Sequence, residues 1–212
     1  METERILLEK PISTKKALLF IPGVSGKALS DRYKVFAQEG VRTGYAVLRY
    51  EFWKDGKELG EQSLESIQKT IDELITYLHQ QGYTEIGLIG KSLGGLVALT
   101  CKNQAVKVNV LWAPAVAVSP KETFESYKKV LLKSIKKVTD ITLSEETLKK
   151  IRTPTFIIHG TGDQDIALEY SKKVKEHLKK SELFTLEGAD HSFTGKEDIL
   201  VSKTVEWLRL NF

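Results

Sequence analysis

The sequence predicts an α/β protein: a three-layer α/β/α sandwich on a mostly parallel sheet, with a small helical cap insertion and few strands at its N-terminal end. Three observations carry this. Short apolar runs alternate with longer amphipathic segments along the 212 residues, as repeated βαβ units do. The runs are continuous and not alternating, which is how strands buried on both faces read. Residues 115–153 interrupt the rhythm after the run ending LWAP, as an insertion would.

In chain order, RILLE (5–9) reads as an additional edge strand, followed by ALLFI (17–21), YAVLRY (45–50), EIGLIG (85–90), VKVNVLW (106–112), TFIIHG (155–160) and ELFTL (182–186). Ser30-Asp31 opens the first helix. The segment from Ser63 places Leu64, Ile67, Ile71, Leu74, Ile75 and Leu78 on one face and stops at Gly82. Within 115–153, Ser119-Pro120-Lys121-Glu122 combines a capping serine, a proline at the first helical position and a glutamate three residues after the cap. Leu131, Ile135 and Val138 give that helix an apolar stripe and Lys129, Lys133 and Lys136 a basic, solvated one. A second short helix starts near Ser144 and carries Leu148 and Ile151. The last helix is expected to pack on the sheet through Ile199, Leu200, Val205, Trp207 and Leu208.

Composition bounds the function. Apolar residues make up 41% and charged residues 28%, within the range of ordinary globular domains. One domain is expected over 1–212. A net charge of +4, from 32 bases against 28 acids, gives no electrostatic footprint for nucleic acid. The single cysteine, Cys101, has no internal partner and sits in an apolar helix, as a small buried hydrophobe. With no long apolar run near the N-terminus, neither a signal peptide nor stable membrane insertion is expected, and a cytoplasmic location follows by default. The oligomeric state has no signature in the sequence.

The stretch GLIGKSLGGL (87–96) poses a choice between phosphate binding and nucleophilic catalysis. A phosphate loop needs glycine five residues before Gly90, so that N–H groups can wrap the anion. Glu85 stands there, and the residues between are strand-like. Gly26-Lys27 fails likewise, with Ile21 at the required glycine and Ala28 after the lysine. The G-x-S-x-G spacing, by contrast, is complete as Gly90-Lys91-Ser92-Leu93-Gly94, between a buried strand and the apolar helix LVALTC. A serine on so sharp a turn needs glycines two before and two after, because strand and helix must approach closely. Lys91 is the variable residue of this turn, expected to reach solvent or a partner at the sheet edge.

A serine hydroxyl needs a base to take its proton. His79 and His177 fall on helices rich in polar residues and His159 ends a strand, where a structural role is expected. His191, in GADHSF between the last strand and the last helix, lies where a loop at the carboxyl ends of the strands reaches Ser92. The base needs a carboxylate to fix its tautomer. Asp163, just past TFIIHG, is favoured over Asp165, which is better placed to cap the following helix. Asp190 reads as a turn residue. Two N–H donors are needed for the oxyanion. Leu93 follows the nucleophile, and Val24 lies in the loop PGVSG after the strand ALLFI.

With these residues assembled, the chain resembles the α/β-hydrolase superfamily, specifically small serine esterases and lipases with a helical cap. LLFIPGVSG looks like the oxyanion strand and loop, GLIGKSLGG like the nucleophile elbow, TFIIHGTGDQD like the acid strand and GADHSF like the histidine loop. The order Ser92, Asp163, His191 is the family's, and the insertion at 115–153 falls where the family inserts its cap. Pro22-Gly23 stands where the family usually has His-Gly, and RYEFWKDGKELGEQS replaces the family's Asp-x-x-Gly-x-Gly-x-Ser run after the fourth strand.

The resemblance implies a serine hydrolase of carboxylic esters with small or medium acyl groups, acting through an acyl-enzyme on Ser92 with neither metal nor cofactor. Its expected partner is a small-molecule ester. Phe52, Trp53, Phe124 and Tyr127 are candidates for the acyl pocket, though each also suits a core or cap interface. A thioesterase, a small peptidase or amidase on the same triad, and a non-catalytic hydrolase-fold binding protein are the alternatives. If His191 is the base, activity is expected to fall as pH drops through the imidazole range near ~6.5.

Overall fold

The apolar runs become a seven-stranded sheet in the order β1-β3-β2-β4-β5-β8-β9. Its strands are β1 (Ile6–Glu9), β2 (Lys16–Ile21), β3 (Ala46–Tyr50), β4 (Glu85–Lys91), β5 (Val106–Trp112), β8 (Thr155–Gly160) and β9 (Ser181–Leu186). Every pairing is parallel except that of β1 with β3. The computed structural model describes residues 3–118 and 142–212. The proposed cap helix from Ser119, with its apolar and basic stripes, lies outside the described residues, as do Phe124 and Tyr127.

Alternation along the strands sorts side chains into two cores. Ala17, Leu19, Ile21, Leu88, Leu111 and Ile157 face one side. Leu18, Phe20, Ile89, Val110, Ile158 and Trp112 face the other. The first side is covered by α3 (Leu64–Gln80), α4 (Leu93–Thr100), α5 (Glu145–Lys150) and α6 (Leu168–His177), and the second by α1 (Asp31–Arg42) and α7 (Glu197–Asn211). These are the three expected layers. The second insertion helix starts at Ser144, whose hydroxyl accepts from Thr147 N–H; Ser30 precedes α1 but makes no side-chain cap bond, and Ser63 caps α3 through a reciprocal pair of bonds with Ser66. No described helix is long and apolar enough to cross a membrane.

Four local expectations change. Ile199 is 42% exposed, and α7 docks through Leu200, Val201, Thr204, Val205, Trp207 and Leu208 instead. Trp112 Nε1 donates to Thr204 Oγ1 at 3.0 Å and Trp207 Nε1 to Glu182 Oε1 at 2.7 Å, which sets the helix's rotation. Asp165 does not cap the helix after it: α6 has Ala167 at its N-cap, with no side-chain bond. A short helix α2 (Gly56–Glu61), capped by Asp55, occupies the charged stretch after β3. Within the insertion, β6 (Ala117–Val118) and β7 (Thr142–Leu143) form a separate parallel pair, with Val118 opposite Leu143.

Candidate active site

The carboxyl ends of β4, β8 and β9 bring the chosen residues together. Ser92 sits between β4 and α4 with φ 53° and ψ −116°, a conformation that a non-glycine residue holds only when its surroundings over-determine it. Two close approaches do so. A Cβ on Gly90 would lie 2.3 Å from Gly94 O, and one on Gly94 would lie 2.1 Å from Ile21 O, so α4 can rest against both β4 and the end of β2 only without those carbons. Gly94→Ala is therefore expected to abolish native folding of the elbow, with loss of soluble, cooperatively melting protein. A variant with unchanged Tm would contradict this account.

The triad geometry is complete. His191 Nε2 lies 3.1 Å from Ser92 Oγ, and His191 Nδ1 lies 2.7 Å from Asp163 Oδ2. Asp163 Oδ1 accepts from the backbone N–H groups of Asp165 and Ile166 at 2.9 and 2.8 Å, so Asp163, not Asp165, closes the turn into α6. Burial works to raise the Asp163 carboxyl, but hydrogen bonds from His159, His191 and Ile166 N–H outweigh it and hold the group well below the usual carboxylate range. It is an anion throughout the working pH range. With Nδ1–H donated to Asp163, Nε2 carries the lone pair that Ser92 needs.

His159 is fully buried, as a structural histidine should be, but it also touches the acid. Its Nε2 lies 2.9 Å from Ile166 O and 3.1 Å from Asp163 Oδ2, and its Nδ1 lies 2.7 Å from Ser171 Oγ. A carbonyl can only accept, so Nε2 bears a proton directed at Ile166 O and Asp163 Oδ2. The ring thus helps fix Asp163 opposite His191. His159→Phe leaves Ile166 O and Ser171 Oγ unpaired, at a cost of about 1–3 kcal/mol each, and is expected to lower both Tm and kcat. Calorimetry and steady-state kinetics check this, and an unchanged kcat would refute the link to Asp163.

The loop bearing Val24 passes beside the nucleophile: a Cβ on Gly23 would stand 3.1 Å from Ser92 Cβ. Gly26 N–H donates to Gly23 O at 3.0 Å, closing a turn across Val24 and Ser25. Leu93 opens α4, so its N–H has no acceptor within the helix. Trp53 is fully buried and donates from Nε1 to Val24 O at 3.0 Å, bracing the loop where the usual histidine is missing. Phe52 packs beside it, 6% exposed. Cys101 is half-buried against the α3–α4 core, and burial pushes its thiol up. His79 is exposed and His177 half-buried, both on helices. Asp190 Oδ1 accepts from Thr194 N–H at 2.9 Å, as a turn residue does.

Lys91 departs most from expectation. It is 6% exposed, with Nζ 3.1 Å from His191 Nε2 and 5.7 Å from the centre of the Phe193 ring. Burial drives its ammonium down to about 7, against the opposing pull of Asp163 and Asp165. One ligand-type atom from each of Asp163, Asp165 and His191 falls within a 4.8 Å span. The Asp163 oxygens in that trio are engaged by four N–H donors, the arrangement of a triad acid.

The layered, mostly parallel sheet is the α/β-hydrolase fold, and the triad on it defines a serine hydrolase. Within that class, the chain belongs to the uncharacterised protein family UPF0227, whose sequence profile matches residues 60–204. No curated protein sequence matches the chain. Among solved structures, the chain is similar to Est1E from Butyrivibrio proteoclasticus with ferulic acid bound, at 18% identity and a TM-score of 0.78 over 97% of this chain and 94% of that one. It is similar to a monoacylglycerol lipase from Paleococcus ferrophilus at 19% identity and a TM-score of 0.76, over 98% of each chain. An esterase from Exiguobacterium antarcticum gives 17% identity and 0.71 over 96% and 95%.

Proposed function

We propose that this protein hydrolyses carboxylic esters of small or medium acyl groups through an acyl-enzyme on Ser92. The observation that carries the reading is the unbroken chain from Ser92 Oγ to His191 Nε2 at 3.1 Å and from His191 Nδ1 to Asp163 Oδ2 at 2.7 Å. His191 takes the hydroxyl proton as Ser92 Oγ attacks the acyl carbon, and the N–H groups of Leu93 and Val24 hold the oxyanion. His191 then gives the proton to the departing alkoxide, and water releases the acid by the same steps in reverse roles. The similar folds include one with ferulic acid, a carboxylic acid, bound and a monoacylglycerol lipase, and the lipase supports an ester over an amide. Residues 1–212 form one hydrolase domain in this reading, with 115–153 as its cap. Phe52 and Trp53 border the acyl side, and Phe124 and Tyr127 are its candidates from the cap. The lone cysteine and the mild net charge of +4 support a cytoplasmic enzyme acting on a small molecule and not on nucleic acid.

The test is labelling with a fluorophosphonate probe, followed by turnover of p-nitrophenyl acetate and butyrate beside acyl thioesters and aminoacyl amides. One phosphonyl group on the Ser92 peptide and highest kcat/KM on the oxygen esters are expected. Preference for thioesters or amides moves the substrate class, and failure to label overturns the hydrolase reading in favour of a binding protein.

A further inference from the structure

The unusual feature of this site is that two groups converge on one lone pair. His191 Nδ1 faces Asp163, so Nε2 has a single acceptor orbital. Ser92 Oγ lies 3.1 Å from that nitrogen, and Lys91 Nζ lies 3.1 Å from it as well. Lys91 ends β4 on the sheet face opposite Gly90's close contact with α4 and lines a small cavity of about 20 Å³ with the rings of Tyr33, Phe36, Trp112 and Phe193 and the polar Arg32, Ser192 and Glu197. The residue is only 6% exposed.

We propose that Lys91 is a positioning residue that shares the triad's proton-accepting nitrogen, so that Ser92 is activated only when Lys91 and His191 are both uncharged. The inference rests on the serine-hydrolase reading above. An ammonium at Nζ has three N–H donors and no lone pair. It therefore donates to Nε2 and takes the orbital into which the Ser92 proton must move. Its charge also opposes formation of the imidazolium on which attack depends. A neutral amine reverses both effects. When the Ser92 O–H bond breaks and the Nε2–H bond forms, the amine lone pair can accept from that new N–H. The proton stays on Nε2 until it passes to the leaving alkoxide, so the count closes with Lys91 unchanged.

The charged and titratable groups around Nζ come from four elements. Arg32 and Tyr33 approach from α1, Asp163 and Asp165 from the turn after β8, Asp190 and His191 from the histidine loop, and Glu197 from the start of α7. Desolvation outweighs the attraction of the acids, and Arg32 adds to it, which brings the ammonium down to about 7. The competent state must have lost the proton from either site of the pair. Its acid limb therefore lies above that of an otherwise identical site with a lone imidazole, since two proton-binding sites deplete the neutral state more than one.

The experiment measures the second-order rate of fluorophosphonate labelling of Ser92 from pH 5 to 9 in wild type, Lys91→Met and Lys91→Gln. Methionine matches the stem in apolar surroundings, and glutamine retains an N–H donor that does not titrate. Both variants should show the acid limb displaced to lower pH. Relative to its own alkaline plateau, each should label several-fold faster than wild type at pH 6. Labelling with the same or a higher midpoint in the variants overturns this inference and leaves the hydrolase reading standing. Wild type that does not label at any pH overturns both.

Discussion

Ser92→Ala is expected to lower kcat/KM for p-nitrophenyl butyrate by roughly 10⁴-fold or more, with Tm nearly unchanged. The reason for the split is structural. The φ of 53° and ψ of −116° belong to the backbone of the elbow, imposed by the approach of β4 and α4, and alanine tolerates them no worse than serine does. What disappears is the oxygen that His191 deprotonates. The small residual rate comes from the oxyanion donors acting on water, which is how triad knockouts behave. Mass spectrometry of the probe-treated variant should show no adduct. Hydrolysis undiminished in this variant would end the assignment of Ser92.

The second large effect is on stability. Lys91→Met is expected to raise the unfolding free energy by several kcal/mol at pH 6, on the order of 1.4 kcal/mol for each unit by which the ammonium is depressed, and to raise it little at pH 10. The folded chain holds this group at about 7 against an ordinary 10.5. Between those values the unfolded chain binds a proton that the folded chain does not, so wild-type stability gains with rising pH across that window. Below about 7 both states are protonated and the full cost of burying an ammonium remains. Calorimetric melts of wild type and variant at pH 6 and pH 10 give the comparison. An equal gain at both values would mean that packing, not charge, separates them.

The inner strands were legible because burial on both faces forces unbroken apolar runs. Leu18, Leu19, Phe20 and Ile21 are all fully buried, and their sequence could hardly read otherwise. The triad was legible because elbow, acid strand and histidine loop each carry a local signature in a fixed order. Helix α2 escaped notice since GKELGE has one buried side chain, Leu59, and its only signal was the capping aspartate at 55. Ile199 was assigned inward although Leu200, Val201, Thr204, Val205 and Leu208 define the buried stripe. His159 reads from its strand end as structural and is fully buried, but its reach to Asp163 depends on the turn that Asp163 itself closes. Lys91 was misplaced because lysines are rarely buried. Strand alternation held the clue: Lys91 is two residues from Ile89 and shares its face, so its side chain had to enter the core that α1 and α7 cover.

The two-residue pairing of β6 with β7 has a consequence for how the insertion joins the scaffold. Val118 and Leu143 are held opposite each other, so the chain leaves the hydrolase scaffold and rejoins it at one place. Parallel pairing obliges whatever lies between to be long enough to cross back, but imposes nothing on its composition. The pairing thus fixes the two ends of residues 119–141 side by side. The triad distances, by contrast, are set by the ends of β4 and β8 and by the loop after β9, all outside that pair.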